Sequence, residues 1–341
     1  MKKFNFSHGI TPIDLAKHVF SKYNETRQRD GWTNLEKIKK KLNSKSVAGY
    51  VFTAPLIFGF LFFLLVPMII SMYYSFCDYN ILSPAKFSGL ANYKKMITDD
   101  TFWLSLKVTF YFAFVSVPLK LIFALFVAML LLKNSKLSGF YRAAYYLPSV
   151  IGGSVAVAVL WKRMFAMDGV MWRFLFRRDG IVNLILQNVG LPYVDWIGSP
   201  KFALGTVALL AVWQFGSSML IFLSALKQIP ASLYEAADID GAGKTDRFFR
   251  ITLPLLTPNI FFNLVMQLIN GFLAFSQCYI ITQGKPMNST LLYTVYMYQQ
   301  SFEYYNTGYG AALAWVMLII IGTMTAVLFA TKKFWVYEGG F

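Results

Sequence analysis

Trp213, Gln214, Ser217 and Ser218 interrupt one long apolar stretch of this chain, and Asn263, Gln267, Asn270, Ser276 and Gln277 interrupt another. Side-chain amides both donate to and accept from hydroxyls, and an indole can stack on the apolar face of a sugar ring. The chemistry on offer is recognition of a hydroxyl-rich solute, not bond making. On a helix, positions 210, 213, 214 and 217 share one face, and Gln267, Asn270, Gly271 and Ala274 share another. Polar groups at bilayer depth are costly and face a bundle interior or a water-filled cavity. Such amides also tie one helix to the next, and both uses fit these residues.

The pattern lacks groups for catalysis. No Asp or Glu falls inside a candidate membrane span, and His8 and His18 lie far from any second ligand type. Cys77 and Cys278 sit in or beside apolar segments and read as small hydrophobes rather than a disulfide. Gly243-Lys244-Thr245 looks like the end of a phosphate-binding loop. That motif needs a glycine five residues before Gly243, where this chain has Asp238, and a buried strand ahead of it. A carboxylate there repels phosphate. The chain is expected to be no enzyme, to hold no metal or cofactor, and to have no ATP site of its own.

The positioning elements are apolar helices. Of 341 residues, 57% are hydrophobic and only 14% charged, against about 25% charged in soluble domains. Uncharged runs at 46–77, 143–161, 202–226, 251–284 and 304–331 each approach or exceed the roughly 20 residues that a helix needs to cross a bilayer. A further run, about 102–132, is broken only by Lys107 and Lys120. The expectation is an all-α integral membrane bundle of six helices, at about 47–76, 102–132, 143–165, 203–226, 257–282 and 311–332.

The net charge of +16 does not mark a nucleic-acid face, since eleven of the 32 basic residues lie in the first 46 positions and the rest flank apolar runs. With the N-terminus inside, cytoplasmic pieces hold 20 Lys and Arg and external pieces 10. Both termini are thus expected in the cytoplasm, although Arg173, Arg177 and Arg178 in a long external loop oppose the bias. The N-terminus shows no short apolar core with a cleavage site, so no cleaved signal peptide is expected. Residues 1–45 form a polar cytoplasmic segment, read either as an amphipathic surface helix, with Leu35, Ile38 and Leu42 at helical spacing, or as a disordered tail. The membrane body is expected at 46–335, with a loop at 227–256 and a tail at 336–341.

In that loop, Tyr234-Glu235-Ala236-Ala237-Asp238-Ile239-Asp240-Gly241-Ala242 is followed by Ile251-Thr252-Leu253-Pro254. Pro230 suits a first helical turn and Gly241 a left-handed stop. Small Ala236 and Ala237 leave room for another protein, and Glu235 offers a charge to set register. The stretch resembles the EAA loop of binding-protein-dependent ABC importer permeases, in the form found in sugar permeases. The likeness extends over about 45–335 through Ala54-Pro55, Gly89-Leu90-Ala91-Asn92-Tyr93, Arg142-Ala143-Ala144-Tyr145-Tyr146-Leu147-Pro148, Gln283-Gly284-Lys285-Pro286 and Ala311-Ala312-Leu313-Ala314-Trp315. Lys285 departs from the family's usual Gly-Gly-Pro.

The resemblance implies a type I importer bundle in a bacterial or archaeal cytoplasmic membrane, with Glu235, Ala236, Ala237, Asp240 and Gly241 on a coupling helix that docks on an ATPase. It implies a second, different permease subunit, two copies of a cytoplasmic ATPase carrying ATP and Mg, an external solute-binding protein and a sugar substrate. In maltose-type permeases the segments corresponding to the fourth and fifth spans line the sugar site. Trp213, Gln214, Ser217, Gln267, Asn270 and Gly271 are therefore the expected solute contacts here. Gly271 and Ala274 stand where that relative has polar residues, which implies a wider pocket or a larger share for the partner subunit. Tyr304, Tyr305 and Tyr309 offer either a surface for the binding protein or an interfacial aromatic belt. Lys120 either faces a cavity and attracts an anionic solute, or reaches toward the interface or a backbone carbonyl. An importer of glycerol phosphate or another polyol is the alternative within transport. An ion-coupled secondary transporter is the alternative of another class, and it lacks its intramembrane carboxylates and internal repeats.

Overall fold

The structure is a computed structural model that describes residues 45–132, 137–151, 180–196 and 198–337, with 17–18, 20–23 and 25. Most of the N-terminal segment, most of the third expected span and the three loop arginines lie outside the described residues. The chain divides into Met1–Ile70 and Ser71–Phe341. In the first unit α1 (Lys45–Gly59) passes Pro55 and runs into a π-helical turn, Phe60–Leu65. From Phe52 to Ser75 the helix is apolar along its length, the composition of a membrane span.

Helix α2 (Val66–Ser75) leads into the second unit, where β1 (Cys77–Asn80) and β2 (Ser83–Phe87) form an antiparallel hairpin with Cys77 opposite Phe87. Helix α3 (Ala91–Ile97) packs beside it. Asn92 donates to the carbonyls of Ser75 (3.0 Å) and Cys77 (2.9 Å), and Tyr93 donates to the Ser75 hydroxyl (2.9 Å). Gly89 turns the chain with φ +60°. These contacts explain why Gly, Asn and Tyr stand at 89, 92 and 93.

Helix α4 (Asp100–Leu130) is the centre of the bundle. Its buried residues recur every three to four positions, from Phe102 through Phe112, Val117 and Ala124 to Ala128, so one stripe faces the interior. Asp99 caps it by accepting from the N–H groups of Thr101 (2.9 Å) and Phe102 (3.3 Å). The same carboxylate accepts from the hydroxyls of Tyr296 and Tyr309. Burial pushes the Asp99 carboxyl up, but the hydrogen bonds from both tyrosines and both N–H groups outweigh it and hold the group below its ordinary value.

The chain continues through α5 (Ser138–Ile151), α6 (Ile181–Asn188), α7 (Ala203–Trp213), α8 (Gly216–Gln228), α9 (Ala231–Ile239), α10 (Lys244–Arg247), α11 (Leu253–Phe272), α12 (Ser276–Ile281), α13 (Tyr293–Tyr298) and α14 (Thr307–Trp335), of which α7, α8, α11 and α13 pack on α4. One buried cluster joins Phe112, Val207, Phe272, Tyr293 and Leu313, and a second joins Val117, Leu121, Met219, Phe222 and Leu256. Tyr293 is fully buried and donates to the Leu313 carbonyl (2.8 Å), while its N–H reaches the Thr109 hydroxyl (2.7 Å). Cys77 and Cys278 are both buried and unpaired. Among the described residues four helices are long and apolar enough to cross a membrane, or five if α7 and α8 count as one bent span.

Candidate functional site

Two of the membrane-length elements are interrupted, and both interruptions face the same stretch of α4. Pro118 lies inside α4 and removes a backbone donor there. The fourth span is not the continuous helix expected from the sequence: α7 stops at Trp213, α8 starts at Gly216, and the two are bent by 44°. The fifth breaks between Phe272, where α11 ends, and Ser276, where α12 begins. Irregular backbone at membrane depth survives only where protein or a polar cavity satisfies it. Here Ser149 of α5 does so for the fourth span, donating to the Gln214 carbonyl (3.1 Å) and accepting from the Ser217 N–H (3.1 Å). Thr294 of α13 donates to the Ala274 carbonyl in the fifth-span break.

Between the breaks lies a cavity of about 190 Å³, above the roughly 150 Å³ that accommodates a benzene-sized ring. Ser116, Val117 and Lys120 of α4 line one side, Ala211 and Gln214 another, and Gln267, Asn270, Gly271, Ser276 and Gln277 the third. Gln267 is buried and Asn270 exposed. The buried Gln214 amide nitrogen has no hydrogen-bond partner among the described residues. Gly271 contributes by proximity: a Cβ there would lie 3.2 Å from a Val117 methyl, so a side chain would have to push that methyl aside for α11 to sit this close to α4.

The structure thus brings together Gln214, Gln267, Asn270 and Gly271 of the six residues expected to contact solute. Trp213 is separated from them. The bend ends the helical face that 210, 213, 214 and 217 would have shared, and Trp213 lines a different, largely apolar cavity of about 950 Å³ with Tyr111, Phe123 and Leu210. Ser217 lines neither cavity and holds the break instead. Tyr309 is buried against Asp99 and adds nothing to an external aromatic surface, whereas Tyr304 and Tyr305 are exposed. Ser149 escaped the sequence reading altogether; the signal for a break was the Gln-Phe-Gly-Ser-Ser run at 214–218.

A second candidate surface is α9. None of its residues is buried, and Ile239 is 88% exposed. Glu235, Ala236, Asp240 and Gly241 are exposed and Ala237 half-buried. Gly241 has φ +74°, its N–H donates to Asp238 (3.1 Å), and the N–H of Ala242 donates to Ala237 (2.9 Å). This paired stop satisfies the last carbonyls of the helix. Tyr234 and Thr252 share a hydroxyl hydrogen bond (2.9 Å), and Asp238 pairs with Arg247. Those two links fasten α9 to the start of the fifth span, which is why the Ile251–Pro254 segment accompanies the alanine pair.

A profile of the binding-protein-dependent transport system inner membrane component matches residues 104–333. The chain belongs to that family. This permease is 48% identical over 305 residues to the probable ABC transporter permease protein YesP of Bacillus subtilis (strain 168), covering 88% of this chain and 95% of that one. It is 34% identical over 303 residues to the arabinooligosaccharides transport system permease protein AraP of the same organism, covering 86% and 89%. A bacterial ABC transporter involved in import of the acidic polysaccharide alginate contains a chain of the same fold, with TM-score 0.69 at 21% identity over 87% of this chain and 98% of that one. The permease is accordingly a multi-pass inner-membrane transport subunit.

Proposed function

We propose that this permease passes a sugar or oligosaccharide, delivered by an external solute-binding protein, into the cytoplasm by ATP-driven alternating access. The observation that carries the reading is the amide-lined cavity where two interrupted spans meet α4. Gln214, Gln267 and Asn270 supply hydroxyl-matching donors and acceptors there, and discontinuous helices at mid-membrane are where transporters place solute. Relatives named for arabinooligosaccharides and lactose agree in substrate class. A different permease subunit completes the path. Both termini and α9 lie on the cytoplasmic side, where α9 seats in a groove of the partner ATPase. Nucleotide closure of the ATPase dimer moves α9, and the cavity turns outward.

Gln267→Ala and Asn270→Ala are each expected to raise the half-saturating solute concentration about three- to tenfold, the worth of one hydrogen bond, with membrane levels unchanged. Unaltered uptake of every tested saccharide by both variants would remove these residues from the path.

ATP stays with the partner. Gly243-Lys244-Thr245 lies between α9 and α10 and follows a helix, not a strand, and Lys244 is exposed. Equilibrium dialysis of the detergent-purified permease should show no ATP binding with either Lys or Ala at 244. Binding that disappears on Lys244→Ala would overturn this assignment.

A further inference from the structure

We propose that the cavity is built for an acidic saccharide, with Lys120 meeting a uronate carboxylate; the inference rests on the sugar-permease reading above and narrows it. Among the described residues Lys120 is the one charged residue that lines the cavity, and no Asp or Glu joins it there. Among the described residues no carboxylate lies within ion-pair distance of its ammonium; the ion pairs found there are Asp238–Arg247 and Asp246–Arg250. Lys120 sits ten residues before the end of α4 at Leu130, which at 1.5 Å per residue is about 15 Å from the nearer helix end. Lys107 provides the contrast: it lies near the other end of the same helix, is exposed and lines no part of the cavity.

The neighbouring groups complete a donor-rich set. The unpartnered Gln214 amide nitrogen is a donor awaiting an acceptor, and Gln267 and Asn270 each carry a further amide N–H₂. An ammonium held at bilayer depth without a counter-ion is costly, and a carboxylate arriving on the solute removes that cost through a charge-assisted hydrogen bond. The remaining amides then meet the ring hydroxyls. The cavity volume suits one such ring.

The test uses the full transporter, with its partner permease, ATPase and solute-binding protein, in proteoliposomes. Galacturonate and mannuronate di- and trisaccharides are compared with their carboxyl-reduced counterparts and with a sugar phosphate. Wild type should take up a uronate oligosaccharide. Lys120→Gln should raise its half-saturating concentration about tenfold or more while leaving any carried neutral counterpart within about twofold, and Lys120→Arg should retain the preference. An equal effect of Lys120→Gln on acidic and neutral sugars would assign Lys120 a structural role and overturn the inference. Preference for the neutral sugar, or for the phosphate over the uronates, would also overturn it. Uptake of neutral sugar alone leaves the sugar reading standing while this inference falls; uptake of no saccharide at all defeats both. Immunoblots of the membranes separate these outcomes from loss of protein.

Discussion

Valine in place of Gly216 is expected to abolish uptake and to lower the yield of folded permease sharply. Gly216 opens α8 directly behind the fourth-span break, and α5 crosses it there. A Cβ on this residue would overlap the Tyr145 carbonyl oxygen and lie 2.7 Å from the Tyr146 Cα and 2.9 Å from the Ser149 hydroxyl. Two of those neighbours are backbone atoms of a helix and cannot swing aside. Overpacking of this kind costs about 1–3 kcal/mol even where side chains can adjust, and here the helices themselves must part. Separation would also strip Ser149 from Gln214 and Ser217, leaving the broken backbone unsatisfied in an apolar setting. Thermal denaturation in detergent, followed by size-exclusion chromatography, reads the effect. Ser149→Ala should give a milder version, because it removes the hydrogen bonds without the overlap. A Gly216→Val protein as stable as wild type would show that α5 does not cross α8 at this point.

Charge reversal at Glu235 is expected to uncouple ATP hydrolysis from transport. Glu235 is exposed on a helix with no buried residue, next to Ala236 and near the projecting Ile239. Such a surface gains nothing from its own fold and fits a partner that covers it. Gly241→Val should act by a different route. A β-branched residue at φ +74° carries about 1–3 kcal/mol of strain, so the Asp238 and Ala237 carbonyls lose their stop and α9 frays. In both variants the reconstituted complex should hydrolyse ATP at a rate that solute-loaded binding protein no longer raises, with permease levels near wild type. Cross-linking from a cysteine at 235 to the external binding protein, and not to the ATPase, would reverse the assigned orientation.

The family was legible because the alanine pair, Gly241 and the Ile-Thr-Leu-Pro segment answer one local problem, a helix stopped and then fastened to the next span. Tyr234 and Thr252 make that fastening visible. The helical membrane character was legible from long runs without charge. Continuity of the helices was not. Hydropathy registers how much apolar chain is present, and it reads the same across Trp213–Gly216 whether the helix runs on or turns. The fifth-span break was harder still, since Leu273, Ala274 and Phe275 include neither glycine nor proline. Its stabiliser, Thr294, comes from a distant part of the chain. Helical-face arithmetic therefore grouped Trp213 with Gln214, and the bend parted them. Lys120 stood out by its charge, but its direction depended on which stripe of α4 the other helices bury, a property of packing and not of the segment itself.

Asp99 has a mechanical consequence. At one end of the bundle it binds α4 to α13 and α14 through Tyr296 and Tyr309. At the far end of α14 the Tyr337 N–H donates to the Thr257 hydroxyl on α11 (2.8 Å), and Phe261 packs against Phe329 and Trp335. Helix α11 in turn lies against α4 through Gly271. These three long helices form a truss braced at both ends. The expected movement is a tilt of the truss as one piece, with the short lengths of chain at the two breaks as pivots: a cross-link within the truss should leave turnover intact, while one spanning a break should arrest it.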